Sequence, residues 1–294
     1  MSGSVPRRGR QLLLLLLPLC VGFEWPGRVY RLTHELAHAE PGRRRELVRE
    51  LGQYSAESAK EPLLLALEDA DVAVRLEAAE IAGRVRLRDA VPILLDWLDD
   101  KEADTRRRAA AALGAIGEPR SVPALVRALG DSSSDVRRAA VVGLGRMPSP
   151  DAVIALLGRL EDPDLSVRVE ALAALGAARD AQAVVPLLGA AADAAAEVRV
   201  AALAALGRIG DARALPALTR GLSDEVEDVR LSAAAALGTL ADKDAVRALK
   251  QALERADQRL GQVIVAALAA IDDDAARALL AAQLEVPALR EAAT

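Results

Sequence analysis

The sequence contains two histidines, His34 and His38, with Glu35 between them in the order His-Glu-x-x-His. On one continuous helix, residues four apart share a face. Both imidazoles could then hold a divalent metal, with Glu35 as the base that takes a proton from metal-bound water. That arrangement would make the chain a metal-dependent hydrolase. Two features oppose it. No third histidine completes the ligand set, so a carboxylate from elsewhere would be needed, and Pro41 and Gly42 cut the helix just downstream. His34, Glu35 and His38 are held as metal candidates alone, and the expectation is a non-catalytic chain without a cofactor.

A second set of polar residues recurs at constant spacing. Aspartate stands six residues before arginine at Asp69/Arg75, Asp100/Arg106, Asp131/Arg137, Asp162/Arg168, Asp193/Arg199 and Asp224/Arg230. The arginine column starts at Arg44 and breaks at Gly261. A Leu-Gly pair follows in the same register, as in Leu113-Gly114, Leu144-Gly145, Leu175-Gly176, Leu206-Gly207 and Leu237-Gly238. A fixed period of 31 residues without insertions marks a solenoid, which grows by stacking and not by enlarging one core.

Each unit must supply two helices to position these columns. Val122, Leu125, Val126 and Leu129 form one apolar stripe, and Pro123 sits in the first turn, where a missing N–H costs nothing. Asp135 is expected to cap the second helix, which buries Val136, Ala140, Leu144 and Met147. Close approach of neighbouring repeats would explain the glycine column, and Gly117 and Gly210 read as C-terminal caps. Units start near Val29, Lys60, Val91, Val122, Val153, Val184, Leu215 and Val246. The solenoid is expected over 29–285, after a linker at 23–28, with a tail at 286–294.

Composition agrees with an all-α chain: 52% of residues are hydrophobic but only 2% aromatic, and alanine and leucine dominate. The net charge of −5 disfavours nucleic acid as a partner. Cys20 is the single cysteine, which excludes an intramolecular disulfide. Residues 1–22 place Arg7, Arg8 and Arg10 before the apolar run Leu12 to Val21, the layout of a secretory signal peptide. The expectation is an exported protein, periplasmic or tethered to a membrane through its N-terminus, with Cys20 a candidate lipid acceptor. A mis-assigned start in front of a cytoplasmic protein is the alternative.

The Asp-x5-Arg pairs, with the alanine-rich run and Leu-Gly after them, resemble the HEAT-repeat superfamily, in the short form called PBS-lyase HEAT-like repeats. The resemblance covers about residues 29–285. It implies an α-solenoid of about eight two-helix repeats wound as a right-handed superhelix, with second helices on the concave side. It also implies that the Asp and Arg columns form a hydrogen-bonded ladder between adjacent repeats. The family includes scaffolds and bilin lyase subunits. The near absence of aromatics to stack on a tetrapyrrole speaks against the lyase alternative.

A protein or peptide partner is therefore expected on the second helices. Arg84, Arg107, Arg108, Arg138 and Arg146 lie there outside the buried positions, and later units put Val169, Val200 and Leu231 where Arg107 and Arg138 stand. The surface is expected to change from basic to apolar along its length.

Overall fold

A computed structural model describes residues 26–283. The signal-like segment, Cys20, the tail from Val286 and Leu284 lie outside the described residues. Seventeen α-helices and five short 3-10 turns make up the described residues, which contain no strand. They divide into two compact units, one ending at Ile81 and the other beginning at Ala82.

The first unit holds α1 (Pro26–Leu36), α2 (Pro41–Leu51), α3 (Ala56–Leu67) and most of α4 (Val72–Arg84). Helix α1 starts at Pro26, so the expected linker 23–28 is already helical at its end. The core of this unit is the fully buried set Leu47, Leu51, Leu63 and Leu67. Ser55 caps α3 by accepting from the Ser58 N–H at 3.3 Å.

The second unit alternates short first helices with longer second helices. The first helices are α5 (Val91–Trp97), α7 (Val122–Ala128), α9 (Pro150–Leu157), α11 (Val184–Ala190), α13 (Leu215–Gly221) and α15 (Val246–Leu253). The second helices are α6 (Ala103–Ile116), α8 (Ser134–Gly145), α10 (Leu165–Ala178), α12 (Ala196–Ile209), α14 (Glu227–Leu240) and α16 (Gln258–Ala270). Helix α17 (Asp274–Gln283) repeats the first-helix pattern, and no second helix follows it among the described residues.

Second helices pack directly on their neighbours, and the glycine column is the reason they can. A Cβ built on Gly207 would lie 2.7 Å from the Ala236 Cβ, and one on Gly176 would lie 2.7 Å from the Ala205 Cα. Gly114 meets Gly143 more closely still. Mid-helix glycine costs about 1 kcal/mol in propensity relative to alanine, and here it admits backbone-to-backbone packing that any side chain would block.

The turn from second helix to next first helix uses a left-handed residue. Gly117 and Gly210, both at φ 75°, end α6 and α12 as expected. Arg86, Arg179 and Ala241 adopt the same conformation at the equivalent places, at φ 57°, 53° and 53°. Pro148 occupies that column after α8 and cannot adopt it, because its ring fixes φ near −65°. There Ser149 caps α9 directly, accepting from the Ala152 N–H at 3.2 Å.

The expected cap at Asp135 is corrected. Helix α8 starts at Ser134 and its N-cap is Ser133, which places exposed Asp135 inside the first turn. The equivalent of Ser133 one repeat on, Asp164, does cap its helix, accepting from Ser166 and Val167 N–H.

Candidate protein-binding face

The Asp and Arg columns are joined by two kinds of bond. Within a repeat, arginine Nη1 donates to the backbone carbonyl of the aspartate six residues earlier: Arg137 to Asp131 at 3.0 Å, Arg168 to Asp162 at 2.7 Å, Arg199 to Asp193 at 2.9 Å and Arg230 to Asp224 at 2.8 Å. Arg75 and Arg106 do the same to Asp69 and Asp100. Between repeats, the other edge of the guanidinium grips the carboxylate 25 residues on. Nε and Nη2 of Arg106 bond Asp131, those of Arg137 bond Asp162, those of Arg199 bond Asp224, and in the first unit those of Arg44 bond Asp69. The carboxylate partner of Asp162 is thus Arg137 of the preceding repeat and not Arg168.

Arginine suits both tasks because its planar fork presents donors on two edges at once. The clamp holds Asp131, Asp162 and Asp224 below the usual carboxylate range, chiefly through the hydrogen bonds from Arg106, Arg137 and Arg199. Asp69 also lies below that range: burial is the largest influence and opposes the shift, while bonds from Arg44 and the Asp71 N–H overcome it. At Arg168 the clamp is missing, and its Nε is buried without a partner. Asp193 instead accepts from the Ala195 N–H. These columns are committed to holding repeats together.

The His-Glu-x-x-His stretch is not built for metal. Helix α1 ends at Leu36, so His38 lies in the turn beyond it. His38 Nδ1 lies 2.9 Å from the His34 carbonyl, the rings stack at 4.9 Å, and Glu35 is paired with Arg43 at 2.8 Å. Among the described residues, no group of three or more His, Cys, Asp or Glu side chains is placed to hold a metal ion.

On the second helices of the second unit, residues four apart line up into three parallel rows. The first row reads Arg107, Arg138, Val169, Val200 and Leu231, so the expected change from basic to apolar lies on one face. Both arginines are partly satisfied by their own helices, Arg107 by Asp104 and Arg138 by Asp135 at 3.4 Å. The middle row is Ala111, Val142, Ala173, Ala204 and Ala235, all exposed or half-exposed. The third row, at the C-terminal ends of these helices, runs Arg84, Ala115, Arg146 (the residue just after α8), Ala177, Arg208 and Thr239. Arg108 lies beside Arg107 and is half-buried. Sequence reading found Arg84 and Arg146 but missed Arg208, although the same two-period step leads to it.

The family follows from how much of the chain the repeat signature covers. The sequence profile of HEAT repeats matches residues 30–112, 91–168 and 155–238, more than half of the chain. The chain belongs to the HEAT-repeat family. The PBS lyase HEAT-like repeat profile matches residues 229–255, so the short repeat form is also represented. Solved structures with HEAT-like architecture are similar across most of the chain. YibA of Escherichia coli is 22% identical, covers 85% of this chain and 96% of its own, and has a TM-score of 0.60. The complex of CpcE and CpcF of phycocyanin lyase from Nostoc sp. PCC7120 is 24% identical over 76% of this chain and 93% of that chain, with a TM-score of 0.50. Kap95p, solved with RanGDP, is 14% identical over 91% of this chain but only 42% of its own length, with a TM-score of 0.59. At these identities the likeness concerns the fold. No curated protein matches the sequence.

Proposed function

We propose that this HEAT-repeat protein is a non-catalytic protein-binding scaffold and that a partner covers the second-helix face of residues 82–283. One observation carries the reading. The middle row from Ala111 to Ala235 is a strip of small apolar side chains left exposed or half-exposed, flanked by longer arginine, valine and leucine side chains. Such a strip costs a partner little ordering entropy to cover, and its flanking residues can set specificity. Bonds within repeats and ion pairs between them consume the Asp and Arg columns, so the face is free to vary without loosening the stack. Structures of similar fold were solved as complexes, CpcE with CpcF and Kap95p with RanGDP, which supports partner binding as the general mode.

The test is site-specific photo-crosslinking in the native host. A benzophenone amino acid at Ala173, on the strip, should give a discrete cross-linked adduct. The same group at Val185, which is 65% exposed on first helix α11, should not. Adducts from Val185 alone, or equal adducts from both, would remove this face from the account.

A further inference from the structure

The third row alternates. Arg84, Arg146 and Arg208 stand two repeats apart, while Ala115 and Ala177 fill the repeats between. All three arginines are exposed, and none of their side chains has a hydrogen bond or ion pair to another described residue. This separates them from Arg107 and Arg138, whose charge is partly met by Asp104 and Asp135. A cation in the last turn is favoured by the helix dipole. The dipole acts on every repeat, however, and cannot account for alanine in alternate ones.

We propose, building on the protein-binding reading, that this row recognises an acidic polypeptide segment lying across the repeats in extended form, with carboxylates at a fixed interval. The interval follows from the packing. Neighbouring helices packed this closely are about 8–10 Å apart, so arginines two layers apart are about 16–20 Å apart. An extended chain advances about 3.3 Å per residue, so that span takes about five to six residues. An even number, six, returns side chains to the same side of the strand and lets successive carboxylates all face the arginine row. The alanines between leave room for the intervening residues, whose apolar side chains lie on the middle row from Val142 to Ala204.

The experiment uses fluorescence anisotropy at low salt with synthetic labelled peptides. One carries glutamate pairs at six-residue intervals in an alanine and valine background. The other has the same composition with the glutamates gathered at one end. The spaced peptide should bind about tenfold more tightly, in line with a few exposed ion pairs engaged at once. Arg84→Gln, Arg146→Gln and Arg208→Gln together should remove that advantage and flatten the salt dependence, with the helical circular dichroism unchanged. Equal affinity for the two peptides, or an unaltered advantage in the triple variant, would overturn the proposal. So would tighter binding of single-stranded DNA or of phosphatidylserine vesicles than of the spaced peptide. Ala173→Gln and Ala204→Gln separate the two readings. If they abolish peptide binding while the arginine changes do not, the face stands and the arginine register falls. If neither set matters, both fall.

Discussion

Arg137 and Asp162 belong to consecutive repeats, yet they form the most enclosed ion pair described in the chain: two hydrogen bonds of 2.8 and 2.7 Å, the carboxylate fully buried and the guanidinium side chain 11% exposed. Asp162 also has Arg159 within 3.6 Å. Removing one partner of such a pair strands the other, which is costlier than the pair is beneficial. Arg137→Ala should therefore lower stability by about 3 kcal/mol. Arg168→Ala, which gives up a bond to one backbone carbonyl, should cost about 1 kcal/mol. Urea denaturation of both variants checks the order; equal losses would show that the two arginines do the same work.

Acid should loosen the stack through the same carboxylates. Asp131, Asp162 and Asp224 have folded-state pKa values below their unfolded value of about 3.9, so the folded state binds fewer protons. Their contribution is complete above about pH 4 and is lost as pH falls through the lowered folded-state values. Asp162→Asn should reduce stability at neutral pH and make the fall below about pH 4 shallower. Parallel acid limbs for variant and wild type would show that the clamp is not what titrates.

The left-handed column offers a test of opposite signs at equivalent places. Ala241, at φ 53°, sits where Gly210 has φ 75°. A Cβ in this conformation costs about 1–2 kcal/mol, partly offset by the extra freedom glycine has when unfolded. Ala241→Gly should stabilise by about 0.5–1 kcal/mol, and Gly210→Ala should destabilise by about 1 kcal/mol. Thermal melts of the two variants should shift in opposite directions.

Glycine to alanine should likewise change sign with location. Gly189, inside α11, has nothing within 4 Å of a built Cβ, so Gly189→Ala should gain about 0.5–1 kcal/mol from helix propensity alone. Gly207→Ala would drive a methyl into the Ala236 backbone and side chain, and should lose about 1–3 kcal/mol despite the same propensity gain. A gain at both positions would mean that the second helices can separate without penalty.

The repeat, its two helices and the close approach at the glycines were all legible in the sequence, because each leaves a one-residue signature at a fixed interval. Gly117 and Gly210 were legible as caps for the same reason, whereas Arg179 and Ala241 were not, since neither residue type announces a left-handed turn. The Asp and Arg columns were visible, but their connectivity was not. Spacing along the chain pairs Asp162 with Arg168 of its own repeat, and only the stacking of layers shows that the side chain of Arg137 lies nearer. The His-Glu-x-x-His stretch matched a local pattern, and the end of α1 at Leu36 denied it the continuous helix that the pattern presumes. On the binding face, Val169, Val200 and Leu231 were found by register. The difference between self-paired Arg107 and unpaired Arg146 depended on which acids lie one turn away.

Ala115, placed between Arg84 and Arg146, makes the array a ruler whose graduations are whole repeats. Since no insertion interrupts the period, deleting residues 115–145 joins Gly114 to Arg146 in register and leaves Arg146 in the place of Ala115. Gene duplication or loss of one unit would thus change the length the protein measures while leaving every interface chemically familiar. In the shortened chain, the preference for carboxylates about six residues apart should fall to about three between these two arginines, an odd step that turns alternate acids away from the row. Addition of a pair of units, by contrast, would lengthen the track and preserve its scale.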